Sequence, residues 1–336
     1  MKRTIFFTTA ILLIFLTGCG QSSPTPINVY TGTEGLTINF LENNPPKETY
    51  EDSELVVMAE VWNKGAHDLN GSEDNYAVVN LNFDTLYFTG QNPQLYPLFA
   101  PSQTQKLTLQ GKSQSWPTGE KNYMQMANLK VNKITGTREM PTTTVEASVC
   151  YPYETILSQS ICMDGDIYNL ETTPVCRNKG AYTFSGQGAP IAITKLEVDM
   201  IPAGLAQGQT TSLGEETSSM KLKPSFKITF TNVGKGVVFT SNEYLLTQEL
   251  CSISNRLYEK DNINTLKIKV YLGNDELTCM TNSEVKLYSN EGSIRCEVPQ
   301  GKVYQINRNY ESLLTIQADY YYRTSTSKTV QINRVY

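Results

Sequence analysis

The chain has 336 residues, 39% of them hydrophobic and 18% charged, with 33 acidic against 28 basic side chains. The hydrophobic share supports packed cores and excludes a disordered stalk. The net charge of −5 argues against nucleic acid and against docking on anionic lipid headgroups.

The N-terminus is the first element. Lys2 and Arg3 precede an apolar run from Ile5 to Leu16, the length of a signal-peptide core and short of the ~20 residues of a spanning helix. The run ends in Leu16-Thr17-Gly18-Cys19, which resembles the lipobox of bacterial and archaeal lipoproteins. That resemblance implies a signal peptide over 1–18, removed before a lipidated Cys19, and an anchor on the outer face of the cell membrane. Residues 19–33, rich in Ser, Pro, Thr and Gly, read as a tether. The remainder suits about two domains of ~150 residues.

From there the chain reads as β throughout. Leu55, Val57, Ala59 and Val61 alternate along one strand, and Val79, Leu81 and Phe83 along the next. The same period recurs at Val145–Tyr151, Phe226–Phe230, Leu266–Leu272 and, last, Leu314–Tyr322. Short alternating strands bounded by Gly, Pro, Asn and Asp predict antiparallel sandwiches, hence an all-β fold. Ala203–Ser219, rich in Gly, Gln, Thr and Ser, reads as a long loop, and Phe88–Pro101 as another. Ser-Gly-Gln-Gly-Ala-Pro at 185–190 marks a domain boundary, giving sandwiches over 34–188 and 189–336.

Two strands run into Asn-x-Gly turns, at Asn63-Lys64-Gly65 and Asn232-Val233-Gly234, 169 residues apart. The strand-plus-turn pattern resembles immunoglobulin-like modules related to a cell-adhesion domain of bacterial and archaeal surface proteins. Segments such as Gly32-Thr33-Glu34-Gly35-Leu36, Cys150-Tyr151-Pro152-Tyr153-Glu154 and Gly186-Gln187-Gly188-Ala189-Pro190 are similar to a group of uncharacterised archaeal exported proteins. The resemblance implies two tandem immunoglobulin-like β-sandwiches and a surface location, with no activity to carry over.

Apart from Cys19, the cysteines are Cys150, Cys162, Cys176, Cys251, Cys279 and Cys296. An even set in an exported chain predicts disulfides, and six thiols allow 15 pairings. Cys150–Cys162, Cys279–Cys296 and Cys176–Cys251 is an economical set. With three cysteines in each half, full oxidation requires a bridge across the boundary at 188. The spacings lack the close Cys pairs of a zinc site. Asp164 and Asp166 are a calcium candidate in an ordinary Asp-Gly-Asp turn, and Asn70-Gly71-Ser72 is a glycosylation sequon.

The single histidine, His67, follows the first Asn-x-Gly turn and reads as a solvated turn residue. No catalytic motif accompanies it, so the expectation is a protein that is not an enzyme and has no cofactor. Tyr151, Tyr153 and Tyr320–Tyr322 pose a choice between strand packing and stacking on a glycan or protein partner. The functional expectation is a surface lipoprotein for adhesion or binding. The alternatives are a structural subunit of an envelope or filament assembly and, further off, a glycan hydrolase using paired carboxylates.

Overall fold

A computed structural model describes residues 28–335 except 73–74, 91–102, 136–139, 167, 169, 171, 206–208, 211–215, 218–219, 241–262 and 307. Among the described residues there is no α-helix, one 3-10 turn (Thr281–Ser283), and strands throughout, as the period-two pattern requires. In chain order these are β1 (Leu36–Phe40), β2 (Glu48–Tyr50), β3 (Glu54–Asn63), β4 (Ala77–Asn82), β5 (Phe88–Gly90), β6 (Gln103–Leu107), β7 (Lys121–Val131) and β8 (Thr142–Met163). Then come β9 (Ala181–Thr183), β10 (Ile191–Leu205), β11 (Gln209–Thr210), β12 (Glu216–Thr217), β13 (Met220–Asn232) and β14 (Val237–Thr240). The last are β15 (Thr265–Leu272), β16 (Asp275–Glu276), β17 (Thr278–Cys279), β18 (Glu284–Lys286), β19 (Glu291–Glu297), β20 (Tyr304–Ile306) and β21 (Tyr310–Asn333).

Three sheets make the body. β1-β3-β7-β5 and β17-β19-β13-β10-β9 are separate, with β20 added to β13 in the second. The third has nine strands around the path β16-β15-β21-β8-β4-β6 and underlies both. Its spine is β8 with β21, antiparallel over an unbroken register from Tyr310↔Met163 to Gln331↔Thr142. At ~3.4 Å per residue this ribbon is about 70 Å long, well beyond the ~10-residue upper range of ordinary strands.

The ribbon is long because each half of it serves a different sandwich. The C-terminal part of β8 and the first part of β21 lie beside β15 and β14. The first part of β8 lies beside β4, and the end of β21 returns to pair with β2 near the N-terminus. The side-chain alternation never slips along the way. Leu314, Ile316, Ala318, Tyr320 and Tyr322 are buried, and so, still in phase, are Val330 and Ile332. Both sandwiches therefore stand on one face of a shared sheet. The expected division at 188 does not separate the sheets, since residues 323–333 belong with the N-terminal sandwich.

The two halves repeat each other. Leu36 pairs with Asn63 in β1–β3, and Ile191 pairs with Asn232 in β10–β13. Asn63 and Asn232, Tyr151 and Tyr320, and Tyr153 and Tyr322 are each 169 residues apart. In the ribbon, Tyr153 faces Tyr320 and Tyr151 faces Tyr322, so swapping each residue for its counterpart returns the same ladder. This is the signature of a pseudo-twofold axis through the sheet at the Pro152↔Tyr321 pair. Pro152 fits there because β4 pairs with β8 only as far as Cys150, leaving no second ladder to interrupt.

Two expected loops lie largely outside the described residues. Ala203–Ser219 contains the end of β10 and the short β11–β12 pair, so the described part of it extends the β10–β13 hairpin. Most of Phe88–Pro101 lies outside the described residues; its first residues form β5.

Candidate functional site

The waist is where the two halves meet, and it is built around four buried tyrosines. The Leu36 N–H donates to the Tyr151 hydroxyl (3.0 Å), and the Ile191 N–H to the Tyr320 hydroxyl (3.4 Å). Tyr153 donates to Asn63 Oδ1 (3.4 Å) and Tyr322 to Asn232 Oδ1 (3.0 Å). The two asparagines then close their own turns, donating from Nδ2 to the carbonyls of His67 and Gly236. Finally the N–H groups of His67 and Gly236 donate back to Tyr153 and Tyr322. Each Asn-x-Gly turn is thus locked by one tyrosine of the ribbon, and the lock occurs twice.

Glycine is required in both turns by space. A Cβ on Gly65 or Gly234 would overlap the hydroxyl of Tyr153 or Tyr322. The rings also pack on one another, with Tyr151–Tyr153 centroids at 5.4 Å and Tyr153–Tyr320 at 6.3 Å. Tyr151, Tyr153, Tyr320 and Tyr322 are at most 3% exposed, which settles their role as packing and removes them as a glycan platform.

Their burial has a measurable consequence. Desolvation pushes all four phenols up, Tyr322 to about 12. In the unfolded chain they titrate near ~10. Above that pH unfolding releases protons, so their contribution is intact below about pH 10 and is lost as the pH rises toward the folded values. Each adds a slope of up to ~1.4 kcal/mol per pH unit. Urea midpoints are expected to fall steeply above about pH 10. A titration in which every tyrosine ionises near ~10 in a still-folded chain contradicts this.

Beside the waist lies a cleft of about 540 Å³. One wall is Asn28 and Tyr30, another is Thr183–Gln187, and the floor is Ile156–Ser158 of β8. The walls meet in a bridge between Gly32 and Gln187, and the Gly188 N–H donates to the Gly32 carbonyl (2.9 Å). Gln187 is consumed internally, its amide donating to the carbonyls of Ser185 and Ile193 and accepting from the Ile193 N–H. Residues 28–33, expected as tether, are therefore docked at the waist; Lys112 also donates to the Thr31 carbonyl (2.9 Å). The tether residues 19–27, the signal segment 1–18 and Cys19 itself lie outside the described residues.

On the other face of the ribbon, Glu154 and Asp319 sit opposite each other. Gln317 Nε2 donates to both carboxylates, at 2.8 and 2.9 Å, and Lys269 lies 3.6 Å from Asp319. Burial raises the Glu154 pKa, and Asp319 adds to it. The half-buried His67 ring has Nδ1 4.0 Å from Glu154, and desolvation lowers its pKa. Sequence reading missed this carboxylate pair because nothing local distinguishes it from scattered surface acids.

The remaining predicted residues fall as follows. Cys162 is bonded to Cys176, and Cys279 to Cys296 across β17 and β19. The first bridge corrects the Cys150–Cys162 and Cys176–Cys251 pairs: it closes the loop after β8 on itself. Cys150 is also disulfide-bonded and packs with Val78 and Tyr76, apart from the main core. Cys251 lies outside the described residues. Asn70 is exposed, and its Oδ1 accepts from the Ser72 N–H and hydroxyl, an Asx turn within the sequon.

Asp164 is buried and acts as an anchor for N–H donors. Its carboxylate accepts from the Asp166 and Asn178 N–H groups and from Asn309 Nδ2 (2.9, 3.1 and 2.6 Å). Asp166 accepts from the Leu170 N–H and pairs with Arg177. Donors occupy the oxygens that a calcium ion would need. Asp164→Ala is expected to cost about 2–3 kcal/mol through the stranded donors. The melting midpoint should be the same in calcium and in chelator. A calcium-dependent rise would restore the metal reading.

No family model matches the chain, and neither does any curated protein. Among solved structures it is similar to the C-terminal domain of the Streptococcus pyogenes antigen I/II-family protein AspA, at 8% identity and TM-score 0.17 over 91% of this chain and 100% of that one. A second is the C-terminal domain of the Streptococcus agalactiae antigen I/II polypeptide BspA, at 9% identity and TM-score 0.16 over 89% and 99%. At such TM-scores these likenesses carry no argument.

Proposed function

We propose that this chain is a lipid-anchored surface protein whose double sandwich is a non-catalytic adhesion or binding module on the outer face of the membrane. The observation that supports it best is the joint. One shared sheet runs through both sandwiches, and two tyrosine locks tie their Asn-x-Gly turns to it, as a display scaffold needs. The oxidised cysteines fit a compartment outside the cytoplasm. The archaeal source and glycan attachment at Asn70 belong to the same reading. In it, Cys19→Ser releases the protein from native membranes, and the wild-type chain captures a partner from them. A Cys19→Ser chain that stays in the membrane fraction counts against the anchor.

The anchor also has a covalent consequence. A thioether lipid uses up the thiol of Cys19, leaving Cys251 as the partner for Cys150. Non-reducing peptide mapping of the mature protein is expected to recover a 150–251 pair and no peptide joining 150 to 19. Recovery of the latter excludes lipidation at Cys19.

A further inference from the structure

We propose that the cleft at the waist binds a neutral saccharide, a ligand class that rests on the binding-module reading above. The walls are counterparts under the repeat: Asn28 and Tyr30 precede β1 by the same distances as Thr183 and Ser185 precede β10. Both halves contribute to the cleft, Asn28 and Tyr30 from before β1 and Thr183–Gln187 from before β10. Its volume of about 540 Å³ falls within the ~300–1,000 Å³ of small-ligand sites.

The lining selects the chemistry. Tyr30, at 53% exposure, offers a ring face, and Phe184, which stacks on Tyr182, adds apolar lining together with Ile156 and Leu157. Asn28, Thr183 and Ser185 bring an amide and two hydroxyls to the lining, with Asn28 Oδ1 also accepting from the Tyr30 N–H. No lysine, arginine, aspartate or glutamate is among the described lining residues. A phosphate, a carboxylate or a cation would enter without a counter-charge, and that costs too much desolvation. A neutral sugar matches both parts of the lining, with C–H faces for the rings and hydroxyls for the polar groups. An extended peptide is the poorer fit. The adjacent edge strand, β9, has three residues and offers a short ladder.

The test is calorimetric titration of the full chain, in a detergent without a sugar headgroup, with cellohexaose, maltohexaose, mannohexaose and chitohexaose. Oligogalacturonate and a neutral extended peptide are the comparators. At least one neutral oligosaccharide is expected to bind with little salt dependence. Tyr30→Ala and Phe184→Ala should each weaken it about tenfold or more, as loss of a central aromatic contact does. Tyr288→Ala, at a tyrosine 75% exposed elsewhere, should leave it unchanged. Thermal melts check that the variants fold, and the exposed Tyr30 gives a readout even if Phe184→Ala does not. The proposal is overturned if no neutral oligosaccharide binds, if only oligogalacturonate or the peptide binds, or if Tyr30→Ala has no effect. A chain that captures a membrane partner but ignores the sugars fails here alone, and leaves the adhesion reading standing.

Discussion

Ending the chain at Tyr322 is expected to unfold the N-terminal sandwich, whose strands begin nearly 290 residues earlier in the sequence. Residues 323–331 pair with the first part of β8, and 331–333 with β2. Without them β8 becomes an edge over that length, and the N-terminal core loses Val330 and Ile332, both fully buried. Each such side chain is worth roughly 2–5 kcal/mol. Their sum, with the lost ladder, approaches the ~5–15 kcal/mol total stability of a typical domain. The readout is amide exchange in β3 and β7. If two sandwiches folded independently on either side of 188, those strands would keep their protection in the truncated chain. Protection there equal to that of the full chain refutes the shared-sheet account.

The faces of these strands were legible in the sequence, and their neighbours were not. Period-two alternation at Leu55–Val61 and Leu314–Tyr322 says which side chains point inward, since alternate residues share a face. It does not say which strand lies alongside. Nothing in Lys328–Asn333 announces that this segment pairs with residues near 50 and 142. The one available signal was length: the alternation of β21 runs on past what a single sandwich uses. The repeat was visible at the two Asn-x-Gly turns. The same interval also separates Tyr151 from Tyr320 and Tyr153 from Tyr322, and combining the two would have pointed to the axis. Of the disulfides, Cys279–Cys296 was legible as a pair flanking a hairpin, and Cys162–Cys176 was not, because spacing alone does not choose a pairing. The cleft was hidden for a related reason. Asn28, Tyr30 and Thr183–Ser185 look like linker by composition, and only their meeting across the axis makes a site.

The second large effect is expected from one methyl group. An alanine at 65 would place its Cβ inside the Tyr153 hydroxyl oxygen, with Tyr153 Cζ at 2.8 Å and the Gly188 carbonyl oxygen at 2.5 Å. The ring has no room to withdraw, because Tyr151 and Tyr320 pack against it. Overpacking of this kind costs about 1–3 kcal/mol. Displacing the hydroxyl also strands the His67 N–H, adding about 1–3 kcal/mol, while Asn63 Oδ1 and the Gly188 carbonyl keep the Gly65 and Ala66 N–H groups as donors. Gly65→Ala is therefore expected to lose about 2–6 kcal/mol in a denaturant melt. Tyr153→Phe alone should lose about 1–2 kcal/mol, for the hydroxyl bonds only. Made together, the two should cost less than their sum, since removing the oxygen removes the nearest clash. The contact with Gly188 keeps the rescue partial. Additive losses would mean that the clash is relieved elsewhere and that the lock is not what holds the turn. The same logic applies to Gly234→Ala with Tyr322→Phe, because the halves repeat. Gly65 carries the further consequence: its turn is joined through Ala66 and Gly188 to the wall of the cleft. Any saccharide binding should weaken along with stability in Gly65→Ala and recover in part in the double variant.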